Sequence, residues 1–267
     1  MADTTGHPIA AGAPAIRTLR PRDLATALRL GLRDFRTRPM MGLFFANIYV
    51  MGGWLLYLAL FASDLEWFAI PITVGFPLLG PFLAVGLYEV SRRLEVGQTE
   101  WRRGEIFGVI WRQRLRQLPS MAWVVIVYFL FWSFFAHMLF ALFLGPSALT
   151  NVTSSYGYLL EREGLTMLLV GTAFGAVFAG VLFALTVVSL PLLLDREVDF
   201  VTAMITSVSV VQRNPRTMAL WAAIIAGLTF AAMVPGLLGL YLVLPVLGHA
   251  SWHVYRLATV SGPGQAG

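Results

Sequence analysis

The stretch PMMGLFFANIYVMGGWLLYLALFAS, residues 39–63, runs for 25 residues without a charge and begins directly after Arg36 and Arg38. A helix needs about 20 apolar residues to cross the hydrocarbon core of a bilayer, so this run predicts a membrane span. Four further charge-free runs follow, over residues 67–88, 117–160, 164–194 and 217–255. The third is one span followed by the turn-forming stretch GPSALTNVTSSYG, residues 145–157. The last is too long for one crossing and carries Val234-Pro235-Gly236 halfway along, a strong turn signal. Six spans result, at about residues 41–62, 68–90, 120–145, 165–190, 217–234 and 237–254. Composition agrees: 58% of the 267 residues are hydrophobic and 12% charged, against roughly 45–50% and about 25% in soluble domains.

Every basic residue is an arginine, and the 19 of them are distributed unevenly. With the N-terminus inside, seven precede the first span, seven lie between spans two and three, three between spans four and five, and Arg256 follows the sixth. Only Arg162 falls outside. Basic residues near span ends set orientation, so both termini are expected in the cytoplasm. Residues 1–20 hold no apolar signal-peptide region, and insertion is expected to start from the first span. Residues 1–20 and 257–267 read as disordered ends flanking one membrane domain over 21–256.

A unit recurs along the chain. Before spans one, three and five lies an amphipathic segment, then Arg38-Pro39, Leu118-Pro119 or Asn214-Pro215, then the apolar run. In the first copy Leu24, Leu28, Leu32 and Phe35 share a quadrant opposite Arg22, Arg29, Arg33 and Arg36. In the second, Phe107, Ile110, Trp111, Leu115 and Leu118 oppose Arg112, Arg116 and Glu105. In the third, Val201, Met204, Ile205, Val208 and Val211 follow i, i+3, i+4, i+7 spacing. Such helices lie in the membrane interface, and the proline lets the chain turn into the bilayer. The fold class is therefore an all-α polytopic membrane protein, three transmembrane hairpins each preceded by an interfacial helix. Arg29, Arg33, Arg36, Arg112 and Arg116 are the expected contacts to anionic headgroups. Gly171, Gly175 and Ala179, a small-xxx-small ladder, predict close helix packing in span four, and Asn47 is placed to hydrogen-bond across helices.

Four stretches carry a family resemblance: GPFLAVGLYEVSRRLE (80–95), SLPLLLDREVD (189–199), Asn214-Pro215 with Trp221, and LPVLGHASWHVYR (244–256). Together they resemble a family of bacterial integral membrane proteins, domain of unknown function 2189, over nearly the whole chain beyond about residue 25. The resemblance implies a bacterial inner membrane and brings no catalytic residues with it.

Ionisable residues near the spans are the functional candidates. Glu89 lies at a span end with Arg92 and Arg93 at i+3 and i+4, a spacing that suits ion pairing. His249 and His253 share a helix face, a metal-binding spacing, but two ligands do not make a site, and an aromatic belt with Trp252 and Tyr255 is the simpler reading. Asp195, Arg196, Glu197 and Asp199 open the third amphipathic segment, where carboxylates cap a helix. Asn214 belongs to the recurring asparagine-proline element.

No thiol exists for disulfides or metal, no HExxH, GxSxG or phosphate loop occurs, and no paired carboxylates fall at mid-membrane depth. The expectation is a non-enzymatic membrane scaffold, or a factor that engages lipid or other membrane proteins, with no cofactor and no nucleic acid. A small-molecule transporter or channel is the alternative.

Overall fold

A computed structural model describes residues 12–61, 83–98, 100–101, 103–113, 117–144 and 162–260. The described chain is helical: α1 Pro21–Thr37, α2 Pro39–Phe61, α3 over 83–95, α4 Arg103–Gln113, α5 Leu118–Leu144, α6 Arg162–Thr186, α7 Ser189–Asp195, α8 Phe200–Arg213, α9 Pro215–Met233 and α10 Leu240–Ala258. Two short strands, β1 Ala15–Ile16 and β2 Thr259–Val260, pair antiparallel. Four helical segments are long and apolar enough to cross a membrane: Pro39–Leu58, Leu118–Phe143, Gly164–Asp195 and Pro215–Met233. Most of the expected second span, residues 68–82, lies outside the described residues.

The prolines sit where the recurring unit predicts. Pro39 and Pro215 open α2 and α9, and Pro119 is the second residue of α5. A proline disfavours helical geometry in the residue before it, and the two single-residue breaks adopt almost the same backbone. Arg38 has φ −136° and ψ 60°, Asn214 φ −127° and ψ 48°. Each returns its N–H to the carbonyl four residues back, Arg38 to Asp34 and Asn214 to Val210, both at 3.0 Å. In these two copies the repeat therefore extends from polarity to backbone geometry.

Residues up to Trp123 and from Ala184 onward form one compact unit. Its central element is α10, against which α1 packs most extensively, with α2, α9 and α7 around it. The α1–α10 contact is backbone to backbone. A Cβ on Gly31 would stand 2.6 Å from the Ala250 nitrogen and 2.7 Å from the Val246 oxygen, so no other residue fits here without moving a helix. Met41, Phe45, Leu83, Leu87, Val90 and Ile106 knit α2, α3 and α4 into one apolar cluster. Val50, Ala232 and Leu240 join α2, α9 and α10 in another. The expected bond of Asn47 is present, its Oδ1 accepting from the Tyr241 hydroxyl at 2.6 Å. The Pro235-Gly236 turn also forms, with Gly236 and Leu237 at φ 62° and 67°.

Val124–Phe183 is a second unit. Here Tyr128, Phe131, Trp132 and Phe135 of α5 pack on Phe174 and Phe178 of α6. The Tyr128 hydroxyl donates to the Phe178 carbonyl at 2.8 Å. Among the described residues, the glycine ladder of span four does not bring backbones together. Around Gly171 there is open space, and Gly175 only touches the Trp132 ring. Large aromatics on the facing helix fill the groove that the small residues leave.

The amphipathic segments do not all meet the protein with their apolar side. α1 is buried along Leu24, Ala27, Gly31 and Asp34, about a quarter-turn from the centre of its leucine quadrant at roughly 100° per residue; Leu28, Leu32 and Phe35 are only half-buried. α4 buries Ile106 and Val109 while Trp111 is 60% exposed. α8 buries Ala203, Thr206, Ser207 and Val210, leaving Val201 45% and Ile205 62% exposed. In α8 the apolar stripe turns outward at Val201 and Ile205, while Met204, Val208 and Val211 are half-buried.

The chain ends also depart from the expectation of disorder over 1–20 and 257–267. Residues 15–16 pair with 259–260, and the Arg17 N–H reaches the Ala258 carbonyl at 2.8 Å. Backbone pairing and the side chain of Asn214 hold this clasp. Residues 1–11 and 261–267 lie outside the described residues.

Candidate functional site

Gly31 brings α1 so close to α10 that Asp34, one turn on, is fully buried against it. The Asp34 Oδ2 lies 2.7 Å from His253 Nε2, and Oδ1 accepts from the Arg33 guanidinium at 3.0 Å. Burial alone would raise this carboxyl, but the hydrogen bond and charge of His253, with bonds from Arg33 and Ser91, hold it below the ordinary carboxylate value. One turn earlier on α10, His249 Nδ1 shares a 2.8 Å hydrogen bond with Ser91 of α3. The His249 Nε2 is buried with no hydrogen-bond partner among the described residues. The two histidines thus have separate partners on separate helices. They are buried, not arrayed in an interfacial belt, because α1 and α3 cover the face they share.

On the next part of α3, Glu89 is completely buried and held by two guanidiniums. Arg92 Nε donates at 2.8 Å and Arg93 Nε at 2.7 Å. Arg93 also reaches Glu105 of α4 at 2.7 Å. A buried carboxylate is stable only when its charge and lone pairs are matched, and here the helical i+3 and i+4 spacing supplies both partners.

A third set closes the cluster at the C-terminal end of α10. Trp252 Nε1 donates to Glu95 at 2.9 Å, and Arg256 Nε to the other Glu95 oxygen at 3.0 Å. The Tyr255 hydroxyl donates to Asp195 at 2.6 Å, with Arg256 3.4 Å from the same oxygen. Burial works against the charge of Arg256, yet Glu95 and Asp195 raise its guanidinium above the usual value.

Of the residues singled out from sequence, Glu89, Arg92, Arg93, Asp195, His249 and His253 therefore belong to one belt of paired polar groups around α10. Asp195 is the last residue of α7 and not the cap of the third amphipathic segment. That cap is Asp199, which accepts the Thr202 N–H at 2.9 Å and is held below its usual value by Thr202. Arg196 is buried beside it at the end of α7. Asn214 serves elsewhere: its Oδ1 accepts from the Leu19 N–H at 2.6 Å, and its Nδ2 donates to the Arg17 and Val210 carbonyls. Asn214 thereby pins the N-terminal segment across to α8. Arg29 and Arg36 are exposed, as is the Arg33 side chain at 56% despite its bond to Asp34. The Arg112 side chain and Arg116 lie outside the described residues.

Asp34, Ser91 and Glu95 were not singled out, and Trp252 and Tyr255 were read only as members of an aromatic belt. The one sequence signal for Asp34 is its position on the Ala27–Gly31 face, where small residues permit close contact. Among the described residues no three His, Asp or Glu side chains are grouped to hold a metal ion. The cluster can lock α1, α3, α4 and α7 onto α10, and each of its carboxylates is met by a guanidinium.

Residues 69–195 match the family model described as Predicted integral membrane protein (DUF2189). The match is narrower than the resemblance read from the sequence, whose asparagine-proline element and C-terminal stretch lie beyond it. No curated protein and no solved structure matches the chain.

Proposed function

We propose that the chain, of which residues 69–195 match a family model of predicted integral membrane proteins, is a non-enzymatic, multi-pass protein of a bacterial inner membrane that organises anionic lipid around its arginine-rich face and docks other membrane proteins there. The observation that carries this reading is the orientation of α8. It sits on the protein by Ala203, Thr206, Ser207 and Val210 and turns Val201 and Ile205 outward. An apolar stripe facing away from the protein is matched by lipid, and a helix so placed lies along the bilayer surface.

Trp111 on α4 is exposed in the same way. On α1 the half-buried leucines lie between the protein-facing side and exposed Arg29 and Arg36. Each arginine near an anionic leaflet contributes about 1 kcal/mol of attraction. The pairing of residues 15–16 with 259–260 keeps both ends of the chain together, which fits an even number of crossings. Six spans in three hairpins, with both termini on the cytoplasmic side, satisfy that pairing and the arginine distribution together.

The test is purification of the full chain in mild detergent with identification of retained lipids. Anionic phospholipid should be enriched over its share of the source membrane, and an R29Q/R36Q double variant should lose part of that enrichment. Retained lipid that mirrors the bulk membrane would overturn the reading.

A further inference from the structure

At the single-residue break between α1 and α2 lies a cavity of about 180 Å³, lined by Thr37, Arg38, Pro39, Met40, Met41 and Trp101. Its two sides differ in chemistry. Thr37 and Arg38 end the arginine-bearing helix, while Met40 and Met41 begin the apolar one. Met40 is 58% exposed and so continues the wall outward to where lipid would lie. The Arg38 guanidinium stands 4.8 Å over the Trp101 ring, and Arg93 lies 5.8 Å from the same ring.

The two cations differ in what else they touch. Arg93 is bonded to Glu89 and Glu105. Arg38 has no carboxylate partner among the described residues, and stacking on the indole holds its planar fork in place without consuming its N–H donors. A guanidinium so held matches a phosphate oxygen pair. The cavity is smaller than the roughly 300–1,000 Å³ that encloses a whole drug-sized ligand. It has room for a headgroup phosphate and leaves attached acyl chains in the bilayer along Met40.

We propose that this cavity is a discrete headgroup site for one anionic phospholipid, with Arg38 on its phosphate, Trp101 as the platform beneath Arg38, and Met40 beside its glycerol and first methylenes. The site rests on the lipid-organising function proposed above and gives it a location. A free phosphate ion would use Arg38 but not the methionine wall, whereas a phospholipid uses both.

The test is native mass spectrometry of the full chain in mild detergent, titrated separately with phosphatidylglycerol, phosphatidylcholine and inorganic phosphate. The wild type should retain one phosphatidylglycerol in preference to phosphatidylcholine. R38Q should weaken that first binding about tenfold or more, the effect of losing a charge-assisted hydrogen bond. M40W, which narrows the apolar wall and leaves Arg38 in place, should weaken it too and serves as the test if R38Q does not fold. G171A, changed in α6 outside the cavity lining, where a Cβ meets nothing within 4 Å, should leave the first binding event intact. Preference for phosphatidylglycerol that survives unchanged in both R38Q and M40W would overturn the site while leaving the broader lipid reading standing. Equal binding of phosphatidylglycerol and phosphatidylcholine by the wild type would overturn both. Displacement of the bound lipid by inorganic phosphate at equal concentration would overturn the lipid as occupant.

Discussion

Replacing Asp34 by alanine removes a shared acceptor of His253 and Arg33, whose bonds to it are of unequal value. The bond to His253 joins side chains that are 0% and 6% exposed, so solvent does not screen it, and a charged hydrogen bond in such a setting contributes about 1.5–3 kcal/mol. The bond to Arg33, whose side chain is 56% exposed, adds at most about 0.5 kcal/mol. Removing either partner of the buried pair also strands the other, so D34A and H253A should each destabilise by about 3 kcal/mol or more. The double variant should be less unstable than the two losses added together, by a coupling of about 1.5–3 kcal/mol. The assay is thermal unfolding of the four proteins in one mild detergent. At about 2–4 °C per kcal/mol for a chain near this size, each single variant should melt about 6–12 °C below the wild type. Additivity within about 0.5 kcal/mol would refute the claim that this pair fastens α1 to α10.

Acid provides an independent check on the same carboxyl, because its native value lies below the ordinary 3.8. The unfolded chain takes up the proton first as pH falls, so the contribution of Asp34 is complete above about pH 5 and is lost as pH falls through the depressed native value. The melting difference between wild type and D34N should therefore stay constant from about pH 7 to 5 and close below about pH 4; a constant difference throughout would contradict the assignment. Two glycine variants should move in opposite directions on thermal unfolding. G31A drives a methyl into the α10 backbone and should cost about 1–3 kcal/mol, whereas G171A meets open space and should stabilise by about 0.4–1 kcal/mol. Because the chain has no cysteine, single-cysteine variants report topology cleanly. E100C and T259C should react with an impermeant maleimide only in inverted vesicles, and labelling of either from the outer face would reverse the proposed orientation.

The features that were legible in the sequence are those that water and lipid distinguish by themselves. Runs without charge, arginines at their ends and prolines at the junctions reflect solvation and backbone sterics, and Pro39, Pro119 and Pro215 open the apolar helices as expected. The amphipathic periodicity of α8 was equally readable, but which of its faces meets the protein was not. In water an apolar stripe points inward. Beside a bilayer, lipid is as apolar as a protein core, so Ile205 can face out while Ser207 faces in and donates nothing to solvent. Its Oγ instead accepts the Val188 N–H at 3.1 Å. The histidines show a different blindness. Their spacing suggested a shared face, yet what covers that face comes from Asp34, which is 219 residues from His253 in the chain. The short-range pairs of Glu89 with Arg92 and Arg93 were visible because helical geometry alone brings them together.

The distance between Asp34 and His253 also has a temporal meaning. At about 5–20 residues per second, a ribosome needs roughly 10–45 s to make the residues that separate them, and α1 waits that long for its partner. Its aspartate, meanwhile, has no buried imidazole to meet. α10 thus emerges long after the helix it seals, so a product that stalls before residue 240 leaves Asp34 of α1 without its partner.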